Sequence, residues 1–191
     1  MKEESFSKFV RIVAALRAID GCPWDREQTH GSLKAACVEE AAEVVGAINC
    51  YEKTGRGENL KEELGDLLMQ VVLQAQIAEE EGLFTIEDVI EGISTKMLRR
   101  HPHVFGPGGS HEGEFDTSHL FDYLGEEEGS FTREGMLEAG EKERLSLWEE
   151  MKKREKAGKD TSEEMVFLKE AFLEAEELIE RAKRRKGFIG E

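Results

Sequence analysis

Proline and cysteine are scarce in this sequence of 191 residues, which contains three of each. So few prolines among many Glu, Ala, Leu and Lys residues favour helix, because little interrupts the backbone hydrogen bonding. Three cysteines are an odd number, and no two of them form a Cys-x-x-Cys pair. This pattern argues against a disulfide framework or a zinc knuckle, and we expect a reducing, cytoplasmic environment.

Long hydrophobic runs and positive charge are also lacking. No apolar run approaches the ~20 residues that a membrane span needs, and the start Met1-Lys2-Glu3-Glu4 does not resemble a signal peptide. Twenty-six Lys and Arg residues face 42 Asp and Glu residues, so the net charge is −16. We expect no binding to nucleic acid or to an anionic membrane, because both require a cationic surface. Phosphates remain possible ligands if metal cations mediate the contact.

Apolar residues recur at intervals of three or four over most of the chain, and this spacing predicts an all-α protein. The predicted helices cover approximately residues 5–19, 32–51, 58–81, 86–100, 133–157 and 162–186. The last helix ends in a cluster of five basic residues, which we interpret as complementing the helix dipole. These residues are Arg181, Lys183, Arg184, Arg185 and Lys186.

The helices predict a bundle of about four helices with a helical C-terminal extension. We expect a helical core over residues 1–106 and C-terminal helices over residues 132–191 that complete or extend this domain. Between them, residues 107–131 are rich in glycine and acidic residues. This segment is predicted to be a long loop or flexible insertion with one short turn around Leu120–Leu124.

Two acidic motifs carry the chemistry of this sequence. Glu40 and Glu43 lie one turn apart in the second predicted helix, and Glu63 and Asp66 lie one turn apart in the third. On helical wheels, Glu40 and Glu63 fall within the apolar stripes, whereas Glu43 and Asp66 flank them. The stripes consist of Leu33, Cys37, Ala41, Val44 and Ile48 in the second helix, and of Leu60, Leu64, Leu67, Leu68, Val71 and Ala75 in the third. If the two helices pack as an antiparallel hairpin, all four carboxylates converge.

Four like charges beside an apolar core repel one another strongly. Either some of these carboxyls are protonated, or cations lie between them; oxygen ligands favour Mg²⁺ or Mn²⁺. A solvated helix face is the alternative for either motif alone, although an interrupted apolar stripe argues against it. A di-iron bundle would need two Glu-x-x-His motifs, and the one copy, Glu27–His30, lies in a predicted loop.

The acidic motifs resemble those of the MazG family of nucleoside triphosphate pyrophosphohydrolases, within the all-α NTP pyrophosphatase superfamily. The family pattern is Glu-Glu-x-x-Glu followed by Glu-x-x-Asp, matched here by Glu39, Glu40, Glu43, Glu63 and Asp66. Three further segments are similar to family landmarks, in the family's order: Cys22-Pro23-Trp24-Asp25-Arg26-Glu27-Gln28-Thr29-His30, Arg99-Arg100-His101-Pro102-His103-Val104-Phe105-Gly106 and Leu147-Trp148-Glu149-Glu150-Met151-Lys152. The resemblance covers residues 8–106 densely and 140–156 loosely.

The resemblance implies Mg²⁺-dependent hydrolysis of NTPs or dNTPs to monophosphate and pyrophosphate by attack of water on the α-phosphorus, with Mn²⁺ as a substitute metal. It implies that four residues are metal ligands: Glu40, Glu43, Glu63 and Asp66. Glu39 would be a further ligand or would orient water. The implied substrate-binding residues are Trp24, Lys96, Arg99, Arg100 and Trp148. It also implies a homodimer or a dimer of dimers, and a role in removing unwanted nucleotides.

The sequence departs from the family pattern at two places. Residues 107–131 are longer and more acidic than expected, and the tail from about residue 159 lacks the second acidic motif pair of longer members. The preferred base therefore stays open, as does an enzyme specialised for dUTP, dCTP or phosphoribosyl-ATP. A non-catalytic acidic interaction module is a further alternative, against which the intact set of four carboxylates argues.

Overall fold

The computed structural model describes residues 2–107, 109–117, 120, 133–156 and 162–190. Within this part of the chain all regular structure is helical, so the all-α prediction is confirmed there. The helices are α1 (Lys2–Arg17), α2 (Pro23–Arg26), α3 (Lys34–Thr54), α4 (Glu58–Glu80), α5 (Ile86–Arg100), α6 (Pro102–Phe105), α7 (Arg133–Glu138), α8 (Glu141–Lys156) and α9 (Ser162–Arg185). Among these helices, none is long and apolar enough to cross a membrane.

The predicted helices match the observed ones closely, with three differences, one of which is the short helix α6, which was not predicted. The short helix α2 forms within the loop predicted to run to His30, because Pro23 pre-sets the backbone angle of a first helical turn. The single helix predicted over residues 133–157 is instead two helices, which separate at Ala139 and Gly140. Beyond Leu120, the predicted turn around Leu120–Leu124 lies outside the described residues.

The chain divides into two compact units. The first contains Met1–Ile86 and Ser162–Glu191, and therefore holds α1 to α4 and α9. The second contains Glu87–Thr161, with the rest of α5 and with α6, α7 and α8. The expected boundaries at residues 106 and 131 stay a prediction.

Helices α3 and α4 form the central hairpin of the first unit. Gly55 ends α3 with a φ of 71°, and its N–H donates to the carbonyl of Tyr51. Glycine adopts this left-handed conformation without a Cβ clash, so the chain reverses within three residues before α4 begins at Glu58. The two helices then pack against each other along their length, and α9 packs against α3.

The predicted apolar stripe of α4 covers two adjacent faces. Leu60, Glu63 and Leu67 are half-buried, whereas Leu64 and Leu68 are 49% and 41% exposed. A spacing of three or four fits both faces, so periodicity alone does not separate them. The face that carries Glu63 packs inward, as predicted, but the Leu64 face does not.

The predicted stripe of α3 is likewise displaced. Ala47 is the buried residue of this helix, whereas Ile48 is 40% exposed. Glu40 and Glu43 are half-buried on the Ala47 side. The acidic residues therefore lie closer to the packed seam of α3 than the predicted stripe suggests.

Arg17 joins α1, α2 and α4 through one guanidinium. Its Nε and Nη2 donate to the two carboxylate oxygens of Glu80 over 2.9 and 2.7 Å. Its Nη1 donates to the backbone carbonyls of Asp25 and Gln28 over 2.6 and 3.1 Å. Arg17 is 8% exposed, and the hydrogen bonds from Arg17 hold the pKa of Glu80 below its ordinary value.

We expect Arg17→Met to lower the free energy of unfolding by about 3 kcal/mol, because three acceptor groups lose their buried donor. Urea titration followed by circular dichroism measures this change, with the exposed Arg11 on the same helix, replaced by Met, as the control. The pair stabilises the fold above the ordinary pKa of Glu80 and loses this effect as the pH falls through the lowered pKa. The difference in the free energy of unfolding between Arg17→Met and the wild type should therefore become smaller below about pH 4.5. Equal stability of the two variants would contradict this role for Arg17.

Candidate functional site

Carboxylates from α3 and α4 converge on the inner side of the hairpin. Glu40, Glu43 and Glu63 each present an oxygen within 4.8 Å of the others, and all three side chains are half-buried. Asp66 is also half-buried, and its charge acts on Glu40 and Glu63. A hydrogen bond joins Glu43 of α3 to Glu63 of α4. The convergence is therefore observed for three of the four predicted ligands, with Asp66 beside them.

The cluster carries more negative charge than its surroundings favour. The pKa of Glu40 is raised, first by burial and then by the charges of Glu43, Asp66 and Glu39. The pKa of Glu63 is raised by burial, by the charge of Glu43 and by a hydrogen bond with Glu43. Burial and the neighbouring negative charges thus both disfavour the ionised forms of Glu40 and Glu63, as expected for partly buried carboxylates that share one site.

The donor set fits a hard divalent cation. Carboxylate oxygens from two facing helices are the ligands that Mg²⁺ and Mn²⁺ prefer. A cation between Glu40, Glu43 and Glu63 would relieve the repulsion that raises the pKa values of Glu40 and Glu63. Nitrogen or sulfur ligands, which a di-iron or zinc site would include, are absent from the group that the described residues form.

Two cations from the end of α9 contact the same carboxylates. Arg185 donates to Glu39, and Lys186 donates to Glu43 while its Nζ lies 3.4 Å from the nearer oxygen of Glu39. The hydrogen bond from Arg185 is the main cause of a lowered Glu39 pKa. Their interpretation as partners of the helix dipole alone is therefore wrong for Arg185 and Lys186, which bind side chains of α3.

A cavity of about 400 Å³ opens between α3, α4 and α9. Glutamates 39, 43 and 63 line it from the hairpin, and three residues line it from the end of α9 and just beyond: Lys183, Lys186 and Phe188. This volume lies in the usual range of small-molecule sites. Neither lysine was predicted as a site residue, and the signal for both was the dense basic cluster at the end of α9.

The predicted substrate-binding residues lie in both units. Trp24 belongs to the first unit, where it is 75% exposed on α2. Lys96, Arg99 and Arg100 are half-buried in the last part of α5, and Trp148 lies on α8, all four in the second unit.

Trp148 is surrounded by side chains of its own unit. The His101 ring lies 5.2 Å from the Trp148 ring, between centroids. The guanidinium carbon of Arg100 and the ammonium of Lys152 each lie 5.7 Å from the Trp148 centroid. The structure therefore brings Arg100 and Trp148 together in a cation–π contact.

Comparison with known proteins identifies the segment that carries the carboxylates. A model of the MazG nucleotide pyrophosphohydrolase domain matches residues 28–105, which run from the loop before α3 to the end of α6. The match contains Glu39, Glu40, Glu43, Glu63 and Asp66, together with the three basic residues at the end of α5.

Three relatives are similar to this chain over different lengths. A nucleoside triphosphate pyrophosphohydrolase/pyrophosphatase MazG of Thermotoga maritima is 53% identical over 116 residues, which is 59% of this chain and 44% of that protein. A nucleoside triphosphate pyrophosphohydrolase of Escherichia coli K12 is 49% identical over 86 residues, covering 45% of this chain and 31% of that protein. One of Mycobacterium tuberculosis is 32% identical over 180 residues, covering 91% of this chain and 45% of that protein.

The chain thus spans less than half the length of these relatives. The matched segment nevertheless includes both acidic helices and every predicted metal ligand. Residues 28–105, which hold both acidic helices, are therefore similar to the MazG nucleotide pyrophosphohydrolase domain.

Proposed function

We propose that this protein hydrolyses nucleoside triphosphates, NTP or dNTP, to the monophosphate and pyrophosphate with Mg²⁺ as the cofactor. The convergence of Glu40, Glu43 and Glu63 within 4.8 Å, inside a MazG domain, is the observation that carries this proposal. The Thermotoga and Escherichia relatives are named nucleoside triphosphate pyrophosphohydrolases, which supports the same reaction for this chain.

In the proposed reaction, an oxygen of water attacks the α-phosphorus and the bond from that phosphorus to the bridging oxygen breaks. Pyrophosphate leaves with the electrons of this bond, and a carboxylate accepts the proton of the water. Glu40, Glu43, Glu63 and Asp66 would hold the metal, which neutralises phosphate charge when bound. Glu39 would orient the water, because Arg185 keeps its carboxylate ionised and able to accept a hydrogen bond.

Substrate selection is proposed for residues outside the carboxylate cluster. Trp24 and Trp148 would stack on the base, and Lys96, Arg99 and Arg100 would bind phosphate oxygens. We further propose that the protein removes excess or non-canonical nucleotides in a reducing cytoplasm, which its three free cysteines support.

A pyrophosphate-release assay tests the reaction. The eight common NTPs and dNTPs are supplied with Mg²⁺ or Mn²⁺, and monophosphate and pyrophosphate are quantified by chromatography. Equal amounts of the two products are expected, and the same measurements rank the substrates. Release of orthophosphate would contradict the assigned bond, and no turnover with any of the eight would contradict a general NTP pyrophosphohydrolase.

We propose that the chain assembles as a homodimer, or as a dimer of dimers, through the outer face of α4. Leu64, Leu68 and Val71 follow one another at helical spacing on that face, and all are more than 40% exposed. Such an apolar stripe on a helix favours a protein partner over water.

Light scattering after gel filtration should therefore show at least twice the mass of one chain for the wild type. Leu68→Glu should lower the assembled mass to that of a single chain, because a carboxylate would be buried in the interface. Lys61→Glu changes an exposed residue of the same helix and should leave the mass unchanged. A wild-type mass of one chain, or an unchanged Leu68→Glu mass, would contradict assembly through this face.

A further inference from the structure

We infer that Lys186 and Lys183, at the end of α9, bind the phosphates that leave as pyrophosphate; this inference rests on the proposed function. Both lysines line the 400 Å³ cavity together with Glu39, Glu43 and Glu63. The cavity therefore has one acidic wall from the α3–α4 hairpin and one cationic wall from α9. A site for a divalent cation bound to a polyphosphate needs acidic groups that bind the cation and basic groups that bind the phosphates.

The ammonium of Lys186 already lies in reach of the reacting groups. It donates to Glu43, and it lies 3.4 Å from Glu39. A lysine ammonium that is partly exposed carries its charge at neutral pH. A divalent cation held by Glu43 would repel this ammonium and weaken its attraction to the carboxylate. The three N–H groups of the Lys186 ammonium would then donate their hydrogen bonds to phosphate oxygens.

Lys183 lies one turn earlier on the same side of α9. Its Nζ donates to Glu180 of the same helix over 2.6 Å, and its side chain lines the cavity. Among the described residues, the ion pair of Lys183 is thus with Glu180 of its own helix. Loss of Lys183 should affect a ligand in the cavity while leaving the packing of the helices in place.

Packing of α9 does not depend on these lysines alone. Ile179 and Ala182 line the cavity from α9, and Lys34 of α3 binds Glu174 of α9 over 3.0 Å. Single lysine variants are therefore expected to keep the fold, because exposed ion pairs stabilise a protein little.

Calorimetric titration with inorganic pyrophosphate in saturating Mg²⁺ tests the inference by binding alone. Lys186→Met and Lys183→Met should each weaken pyrophosphate binding about tenfold, the usual loss for one charge-assisted hydrogen bond. Lys186→Arg should retain most of the affinity. Arg181→Met is the matched control, because Arg181 pairs with Glu177 on the exposed side of the same helix and should leave affinity unchanged.

The Michaelis constant for the nucleotide and the affinity for the monophosphate provide a second test of the inference. In both lysine variants KM for the nucleotide should rise about tenfold, while the affinity for the product monophosphate should stay that of the wild type. Unchanged pyrophosphate affinity in both lysine variants would overturn the inference. The inference would also be overturned if Lys186→Met bound Mg²⁺ more tightly without any loss of affinity for pyrophosphate. Lys186 would then only compete with the metal for the carboxylates.

The two proposals fail in different ways. If the wild type releases no pyrophosphate from any nucleotide, the proposed function fails, and the titration still decides whether the lysines bind pyrophosphate. If the wild type turns over and the lysine variants match it in both pyrophosphate affinity and KM, the inference fails while the proposed function stands.

Discussion

Replacing Glu43 by Gln is expected to lower the rate of pyrophosphate release about a hundredfold to a thousandfold. Glu43 lies at the centre of the cluster, since it is grouped with Glu40 and Glu63, lines the cavity and accepts a hydrogen bond from Lys186. Glutamine keeps the size of the side chain but removes the charge that would hold the cation opposite the phosphates. The initial rate at saturating nucleotide and Mg²⁺ measures the effect.

Glu52 provides the matched control, because it is an exposed glutamate farther along α3. Glu52→Gln makes the same chemical change outside the cluster and should leave the rate within twofold of the wild type. Circular dichroism on all three proteins establishes that each is folded. A Glu43→Gln variant as active as Glu52→Gln would remove Glu43 from the catalytic site.

Mg²⁺ is expected to raise the melting temperature by roughly 5–10 °C at a hundredfold excess over its dissociation constant. Such an excess stabilises the folded state by about 2.7 kcal/mol, and each kcal/mol raises the melting temperature by about 2–4 °C for a chain of this size. The physical reason is the raised pKa values of Glu40 and Glu63. Above those pKa values ionisation destabilises the folded state, and a bound cation offsets this repulsion.

Thermal melts followed by circular dichroism at pH 7, with and without Mg²⁺, measure the shift. Glu63→Gln should lose most of it, because one ligand oxygen loses its charge, whereas Glu62→Gln on the exposed side of α4 should keep it. The Mg²⁺-free melting temperature of Glu63→Gln should not fall, since the variant relieves repulsion. The absence of any shift with either Mg²⁺ or Mn²⁺ would contradict a metal site at these carboxylates.

Most of the helices and the carboxylate cluster could be predicted because both depend on local spacing. The three- to four-residue period located α3 and α4, and the same period placed Glu40 and Glu63 on the faces that meet. A three-residue connection leaves a hairpin as the simple arrangement of two such helices. The motif, the turn and the contact thus all lie within one short stretch of sequence.

The contacts of Arg185 and Lys186 could not be predicted in this way. Arg185 lies 146 residues after its partner Glu39, and Lys186 lies 143 residues after Glu43. No periodicity links segments so far apart, and a basic helix end has a sufficient local explanation in the helix dipole. The exposed Leu64 face of α4 escaped prediction for a related reason, because hydrophobic spacing does not specify which partner covers a face.

The first unit is discontinuous in sequence, which has a consequence for the order of events during synthesis. Within this chain, residues 1–86 leave the ribosome before the second unit, and α9 follows only after the whole of that unit has been made. The hairpin can form early, because its contacts are local. Until α9 docks, the nascent carboxylates have no Arg185 or Lys186 beside them. A divalent ion from the surrounding solution would then meet these carboxylates without competition from Arg185 and Lys186.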